Sequence, residues 1–250
     1  VRELADFLKT YNIHINYDAA HVAGLIGGGE FQDPLREGVD TMTMSTHKTL
    51  FGPQGGLVLA FEKNAEVIKK ATFPGLTSSH HIHHMAAKAV TFAEALEFGK
   101  DYADQTVKNA KALAVALNDL GFKVLGEKKG FTQSHQTVVN VLDYGDGGKI
   151  EADLEKANII VNRQLIPGDI KAKRHYMHPG GIRLGSSEVT RLGMKESEMK
   201  QIASFIKKVI IQNFAKDAVK ERVVEFRKNY QKTQYCFDNK LGAYEYVKLR

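Results

Sequence analysis

Ser45-Thr46-His47-Lys48-Thr49-Leu50-Phe51-Gly52-Pro53-Gln54-Gly55-Gly56 decides how this chain is read. The stretch follows a strand-like run, residues 41–44, and ends in a glycine- and proline-rich turn. A lysine crowded by a histidine and small hydroxyl residues is poor material for a core. It is good material for an amine that must meet a carbonyl. A lysine kept dry and near other dipoles gives up its proton more readily and can condense with an aldehyde. A solvent lysine after a strand is the competing reading, and it gives no role to Ser45, Thr46, His47 and Thr49.

Working outward, Asp18 lies 30 residues upstream, at the end of the strand-like Ile13-His14-Ile15-Asn16-Tyr17. The usual carbonyl partner of such a lysine is pyridoxal phosphate, whose pyridine nitrogen needs an acidic neighbour to stay protonated. Asp18 suits that role. His21, three residues on, is placed to touch the ring oxygen or the lysine end, with a structural histidine as the alternative. Arg183 stands between glycines in Gly181-Ile182-Arg183-Leu184-Gly185. A guanidinium there can offer its planar fork to a carboxylate, which amino-acid chemistry requires. His80-His81-Ile82-His83-His84 invites a metal reading. No cysteine or carboxylate adjoins it, so we expect no metal. Anion binding by Thr77, Ser78 and Ser79, just ahead of a helix, is the better expectation.

Composition bounds these readings. At 250 residues the chain can form one large domain or two modest ones. The lone Cys236 excludes an intrachain disulfide framework and a cysteine-based zinc site, and it suits a reducing cytoplasm. No apolar run is long enough to cross a membrane as a helix. The opening residues 1–8 read as an amphipathic helix without a signal core or initiator methionine, so further sequence is expected upstream. The net charge is +6, and much of the excess lies between Lys195 and Arg250. Acidic and basic residues mix there at helical spacing, which is a solvated face rather than a nucleic-acid site.

Short apolar runs at 13–17, 41–44 and 56–61 alternate with turn-rich connections, as in a buried α/β sheet. From His84 to Leu120 the apolar period becomes helical, and Gly121 stops it. Beyond lie strand-like runs at 122–125, 137–142, 159–161 and 181–185. Residues 149–157 read as a helix, and so does the whole of 196–230. A domain boundary is expected near residue 100, giving domains 1–100 and 101–250.

Several blocks together are similar to the serine hydroxymethyltransferase family. They are Asp18-Ala19-Ala20-His21-Val22-Ala23-Gly24-Leu25-Ile26, residues 45–56, Phe73-Pro74-Gly75, Ala86-Ala87-Lys88-Ala89-Val90, and the run from Gly181 through Thr190-Arg191-Leu192-Gly193-Met194. Their order and spacing match along the chain, which resembles the C-terminal portion of that family's length. The resemblance implies a fold-type I, aspartate aminotransferase-like α/β enzyme. Residues 1–100 would be the C-terminal part of its pyridoxal phosphate-binding large domain and 101–250 its small domain.

The implied activity is interconversion of serine and glycine, with the one-carbon unit passed to a reduced pterin. By position, Lys48 matches the lysine that bonds the cofactor, Asp18 the partner of the pyridine nitrogen, and His21 and His47 cofactor-contacting histidines. Ser45, Thr77 and Ser78 fall in cofactor-binding segments. Arg183 matches the substrate-carboxylate arginine, and Gln164 stands near an asparagine used for the pterin. Gln54 and Thr77-Ser78-Ser79-His80 depart from the common bacterial and eukaryotic pattern and resemble the archaeal branch. They leave tetrahydrofolate and tetrahydromethanopterin both open. The family's N-terminal portion, with further cofactor groups, is not among these residues, so the resemblance implies a homodimeric enzyme of which this chain alone cannot complete the site. A pterin-independent aldolase of threonine-like β-hydroxy amino acids would use the same lysine, aspartate and arginine. A nucleic-acid-binding protein is the rival of another class, and no aromatic-interleaved basic motif supports it.

Overall fold

The chain begins on an amphipathic helix, α1 (Arg2–Lys9), that turns Ala5 inward. Then come β1 (Asn16–Asp18), the short α2 (Ala23–Gly27), β2 (Thr41–Ser45), β3 (Gly56–Ala60) and α3 (Ala65–Lys70). The computed structural model describes residues 1–240, 242 and 243. They fall into two compact units, Val1–Asp104 and Gln105 onward. The last residues of the expected second domain, 241 and 244–250, lie outside the described residues.

In the first unit the three strands form one sheet in the order β1-β2-β3. The pair β1 and β2 is parallel, with Asp18 opposite Thr43, and β3 returns antiparallel. Met42 and Met44 of β2 are buried beside Ala19, Ala23 and Leu50. The first strand is shorter than the apolar run 13–17 predicts. The Ile15 amide is taken by the Asp40 carboxylate at 3.0 Å. The Ile15 carbonyl accepts the amides of Asp40 and Thr41, so strand pairing starts only at Asn16.

One long helix, α4 (Ile82–Asp119), supplies the last element of the first unit and the first of the second. It ends where Gly121 enters the left-handed region, with the Phe122 amide returning to the Leu117 carbonyl. The second unit continues with β4 (Lys123–Val124), β5 (Gln136–Asn140), α5 (Gly147–Lys156), β6 (Asn162–Gln164), β7 (Gly181–Gly185), α6 (Ser187–Arg191), α7 (Glu196–Ile210) and α8 (Lys216–Arg227). Its sheet is antiparallel, in the order β4-β5-β7-β6. One continuous core joins Leu117 of α4, Val139 and Ile182 of the sheet, Leu154 of α5, Met199 and Ile206 of α7, and Val219 of α8.

Two expectations are corrected here. The apolar triplet 159–161 is a connector rather than a strand. Asn158 takes a left-handed turn after α5, and Ile160 points to solvent, so pairing begins at Asn162 opposite Arg183. The helical run 196–230 is two helices. Asn213, a residue that tolerates the left-handed region, breaks it at φ 48°, and the Phe214 amide folds back to the Lys208 carbonyl. Among the described residues no helix is long and apolar enough to cross a membrane.

Candidate active site

Parallel strands gather loops at their carboxyl ends, where ligands of α/β sheets bind. Asp18 is the last residue of β1 and Ser45 the last of β2, so the loops that carry His21 and Lys48 leave the same edge of the first sheet. The Asp18 side chain is exposed, and its Oδ1 accepts the Ala20 amide at 2.9 Å. Its Oδ2 has no hydrogen bond to a described residue. Lys48 is half-buried. Its Nζ lies 3.4 Å from His21 Nε2, and no carboxylate among the described residues pairs with it. His47 is exposed, and Ser45 is half-buried in register with Gly56.

Hydroxyls join these loops alongside the packing of Leu50 with Ala19 and Ala23. Thr49, almost fully buried, donates through Oγ1 to the His21 carbonyl at 2.9 Å and accepts the Gly24 amide at 3.0 Å. A Cβ on Gly24 would strike the Thr49 carbonyl, so only glycine lets the start of α2 approach the lysine loop this closely. On the other side, the Thr46 hydroxyl lies 2.6 Å from the Pro53 carbonyl and 3.1 Å from that of Gly55. The amides of Thr46 and Gly52 donate to the carbonyls of Gly55 and Thr46. Next to Asp18, burial pushes the Tyr17 phenol above its ordinary range, and the charges of Glu37 and Asp18 add to the effect.

Thr77 and Ser78 are exposed and stand several residues ahead of the start of α4. They do not form its N-terminus, as the sequence suggests they would. Thr77 is instead drawn back into the turn 71–76, where its amide and hydroxyl both donate to the Thr72 carbonyl. His81 takes the capping place, and its carbonyl accepts the Met85 amide. The rings of His81, His83 and His84 face one another with centroids 4.4–5.5 Å apart. Among the described residues no group of three or more potential ligands could hold a metal ion.

Arg183 and Gln164 belong to the second unit. Arg183 is half-buried at the middle of β7, and its Nη2 donates to Asn162 Oδ1 at 3.5 Å on the paired strand. No described carboxylate neutralises it. Gln164, opposite Gly181, donates to the Leu165 carbonyl. Sequence reasoning missed Thr49 as the joint between loops, and it missed Asn162 as the partner of Arg183. The first had a visible signal, a hydroxyl beside the lysine. The second had none, because the β6–β7 register is tertiary.

A family profile described as serine hydroxymethyltransferase matches residues 1–206. The serine hydroxymethyltransferase of Nitrosopumilus maritimus (strain SCM1) is 76% identical over 250 residues, which are 100% of this chain and 57% of that protein. Those of Cenarchaeum symbiosum (strain A) and Korarchaeum cryptofilum (strain OPF8) are 72% and 53% identical, over 100% and 98% of this chain and again 57% of each relative. The chain therefore spans little more than half the length of these archaeal relatives. Among solved structures, L-threonine transaldolase from Pseudomonas fluorescens, in its internal aldimine state, superposes with a TM-score of 0.81 and 35% identity, over 91% of this chain and 52% of that one. The chain belongs to the serine hydroxymethyltransferase family and has the α/β architecture of fold-type I pyridoxal phosphate enzymes.

Proposed function

We propose that this protein interconverts serine and glycine with pyridoxal phosphate and hands the one-carbon unit to a reduced pterin, either tetrahydrofolate or tetrahydromethanopterin. The observation that carries the reading is the pairing of Lys48 with His21 on the sheet edge that also presents Asp18. The donor set fits the cofactor: one half-buried amine without a carboxylate partner among the described residues, one carboxylate with an uncommitted oxygen, and an imidazole beside the amine. The cofactor, when bound, supplies an aldehyde carbon and an electron-accepting pyridine ring.

In this reading Lys48 holds the aldehyde end, Asp18 the protonated ring nitrogen, His21 and His47 the ring, and Ser45, Thr77 and Ser78 lie in cofactor-binding segments. His21 keeps the Lys48 amine in place by the contact described above. Arg183 takes the carboxylate of serine or glycine, for which its fork has no competing described anion. Fixing that carboxylate orients the bond that must break at Cα. Gln164 contacts the pterin. Residues 1–100 are the C-terminal part of the cofactor-binding domain and 101–250 the small domain. The working unit is a homodimer whose site is shared between subunits. The single Cys236 accords with the cytoplasm.

Lys48→Ala tests the reading. Borohydride reduction of the cofactor-loaded protein attaches the cofactor to Lys48 in the wild type and to nothing in the variant. Attachment to another side chain would overturn it. The structural likeness to a threonine transaldolase favours one second reading, a pterin-independent aldolase acting on β-hydroxy amino acids. Serine cleavage that proceeds at full rate without any pterin would select it.

A further inference from the structure

Phe51 stands in the left-handed backbone region, at φ 52°. A bulky side chain is seldom found there. Its amide donates to the Lys48 carbonyl at 3.0 Å, and the next amide, of Gly52, donates to the Thr46 carbonyl at 2.7 Å. The second bond depends on the turn that Phe51 makes, and with it residues 46–52 close into a small loop containing Lys48. Glycine would adopt this φ without strain. Phenylalanine adopts it here with its ring set edge-to-face against Tyr102, centroids 4.9 Å apart and planes at 83°. Tyr102 is 1% exposed, so the surface on which Phe51 leans is fixed by close packing. A sparsely populated conformation persists where its surroundings over-determine it, and such positions cluster at functional sites.

We propose that Phe51 and Tyr102 are positioning residues for Lys48. Their ring contact holds the left-handed turn, the turn closes the loop 46–52, and the closed loop keeps the Lys48 amine beside His21. Neither residue needs to touch the cofactor. The inference rests on Lys48 being the reactive amine and goes beyond that assignment by naming what aims it.

Three variants of the whole chain test it, Phe51→Gly, Phe51→Ala and Phe51→Tyr, with two readouts that do not involve turnover. Hydrogen exchange reports the Gly52 amide. Brief acetylation followed by mass spectrometry reports Lys48 against the other lysines. Phe51→Gly removes the ring contact and relieves the backbone strain, so its effects on stability oppose each other. The clamp predicts that the Gly52 amide exchanges about tenfold faster and Lys48 is acetylated several-fold faster, while the melting temperature holds. Phe51→Ala gives the same loop effects with a lower melting temperature, because the strain remains. Phe51→Tyr, which keeps the ring, restores wild-type values. Wild-type exchange and labelling in Phe51→Gly would overturn the proposal. So would an increase in exchange spread evenly over the first unit. If borohydride attaches the cofactor to a different lysine, the assignment of Lys48 fails by itself, and the exchange at Gly52 still reports separately on the clamp.

Discussion

The first unit carries most of the residues proposed for the site and a small core. The second carries a large core and, of the proposed site, only Arg183 and Gln164. In the first, Ala19, Ala23, Met42, Met44 and Leu50 pack together. Leu96 is 90% exposed, and Leu76, Ile82 and Val67 also face outward. In the second, one cluster runs from Leu113 to Val223 through every layer. Because the chain spans 57% of its relatives' length, the contrast concerns only what these residues supply to each unit. Around Lys48 the backbone is fixed by threonine hydroxyls, a glycine contact and one ring pair. In the second unit, side-chain interdigitation sets the positions of β6 and β7, and with them those of Gln164 and Arg183.

The contrast predicts unequal responses to truncation. Met199 is fully buried in the second core. Met199→Ala leaves a cavity among close-packed neighbours, and we expect about 3–4 kcal/mol of destabilisation. Met44 is 8% exposed in the smaller cluster. Its surroundings relax more easily, so Met44→Ala should cost about half as much. Urea unfolding followed by exchange in peptides of each unit separates the two. Equal losses would erase the comparison.

Polar deletions sharpen it. Asn109, fully buried, donates to Thr190 Oγ1 at 2.8 Å and to the Met194 carbonyl at 2.9 Å. Asn109→Ala strands both acceptors, and we expect a loss of about 2 kcal/mol read in the second unit. In the first, Thr49→Val strands the His21 carbonyl and the Gly24 amide, for about 1–2 kcal/mol. The two effects differ in reach. Loosening Thr49 frees the His21 loop from the lysine loop, so exchange in peptides 19–26 and 46–52 should rise together. Independent exchange in those two peptides would show that Thr49 does not join them.

How far the sequence disclosed this arrangement follows from the same contrast. The Lys48 stretch and Asp18 stood out in the sequence because residue types that suit chemistry and not packing lay at the ends of apolar runs, and the structure sets both at the carboxyl ends of β1 and β2. The helix α4 was legible because its period persists over many turns and Gly121 ends it. The break at 212–215 was not, since Gln212-Asn213-Phe214 contains neither proline nor glycine and only the left-handed Asn213 marks it. The strand at 162–164 was not, because three apolar residues preceding it read as strand, whereas register with Arg183 selected the polar ones. Phe51 gave no signal at all. Its partner Tyr102 is distant in sequence, and backbone strain leaves no mark on residue type.

The smallest expected effect concerns one acidic staple in each unit. Asp40 holds the Ile15 amide in the first unit, with Lys63 and His14 nearby. Asp146 caps α5 in the second by accepting the Lys149 amide at 2.9 Å, and its other oxygen lies 3.1 Å from His178 Nδ1. In both, the backbone amide is the largest influence and holds the carboxyl below its ordinary value of 3.8, against an opposing effect of burial. A carboxyl depressed in the folded state contributes stability above its unfolded pKa and loses it as pH falls through the folded one. The window therefore opens near pH 4 and extends downward. Asp146→Asn keeps a side-chain oxygen for the cap, so at pH 7 it should cost no more than about 0.5 kcal/mol. Asp40→Asn should cost about 1 kcal/mol, since the neighbouring Lys63 then loses its anion. Below pH 4 each variant should lose stability less steeply than the wild type, Asp40→Asn in the first unit and Asp146→Asn in the second. An acid limb that steepens, or one that changes in the opposite unit, would mean that these carboxylates do not staple the units in which they lie.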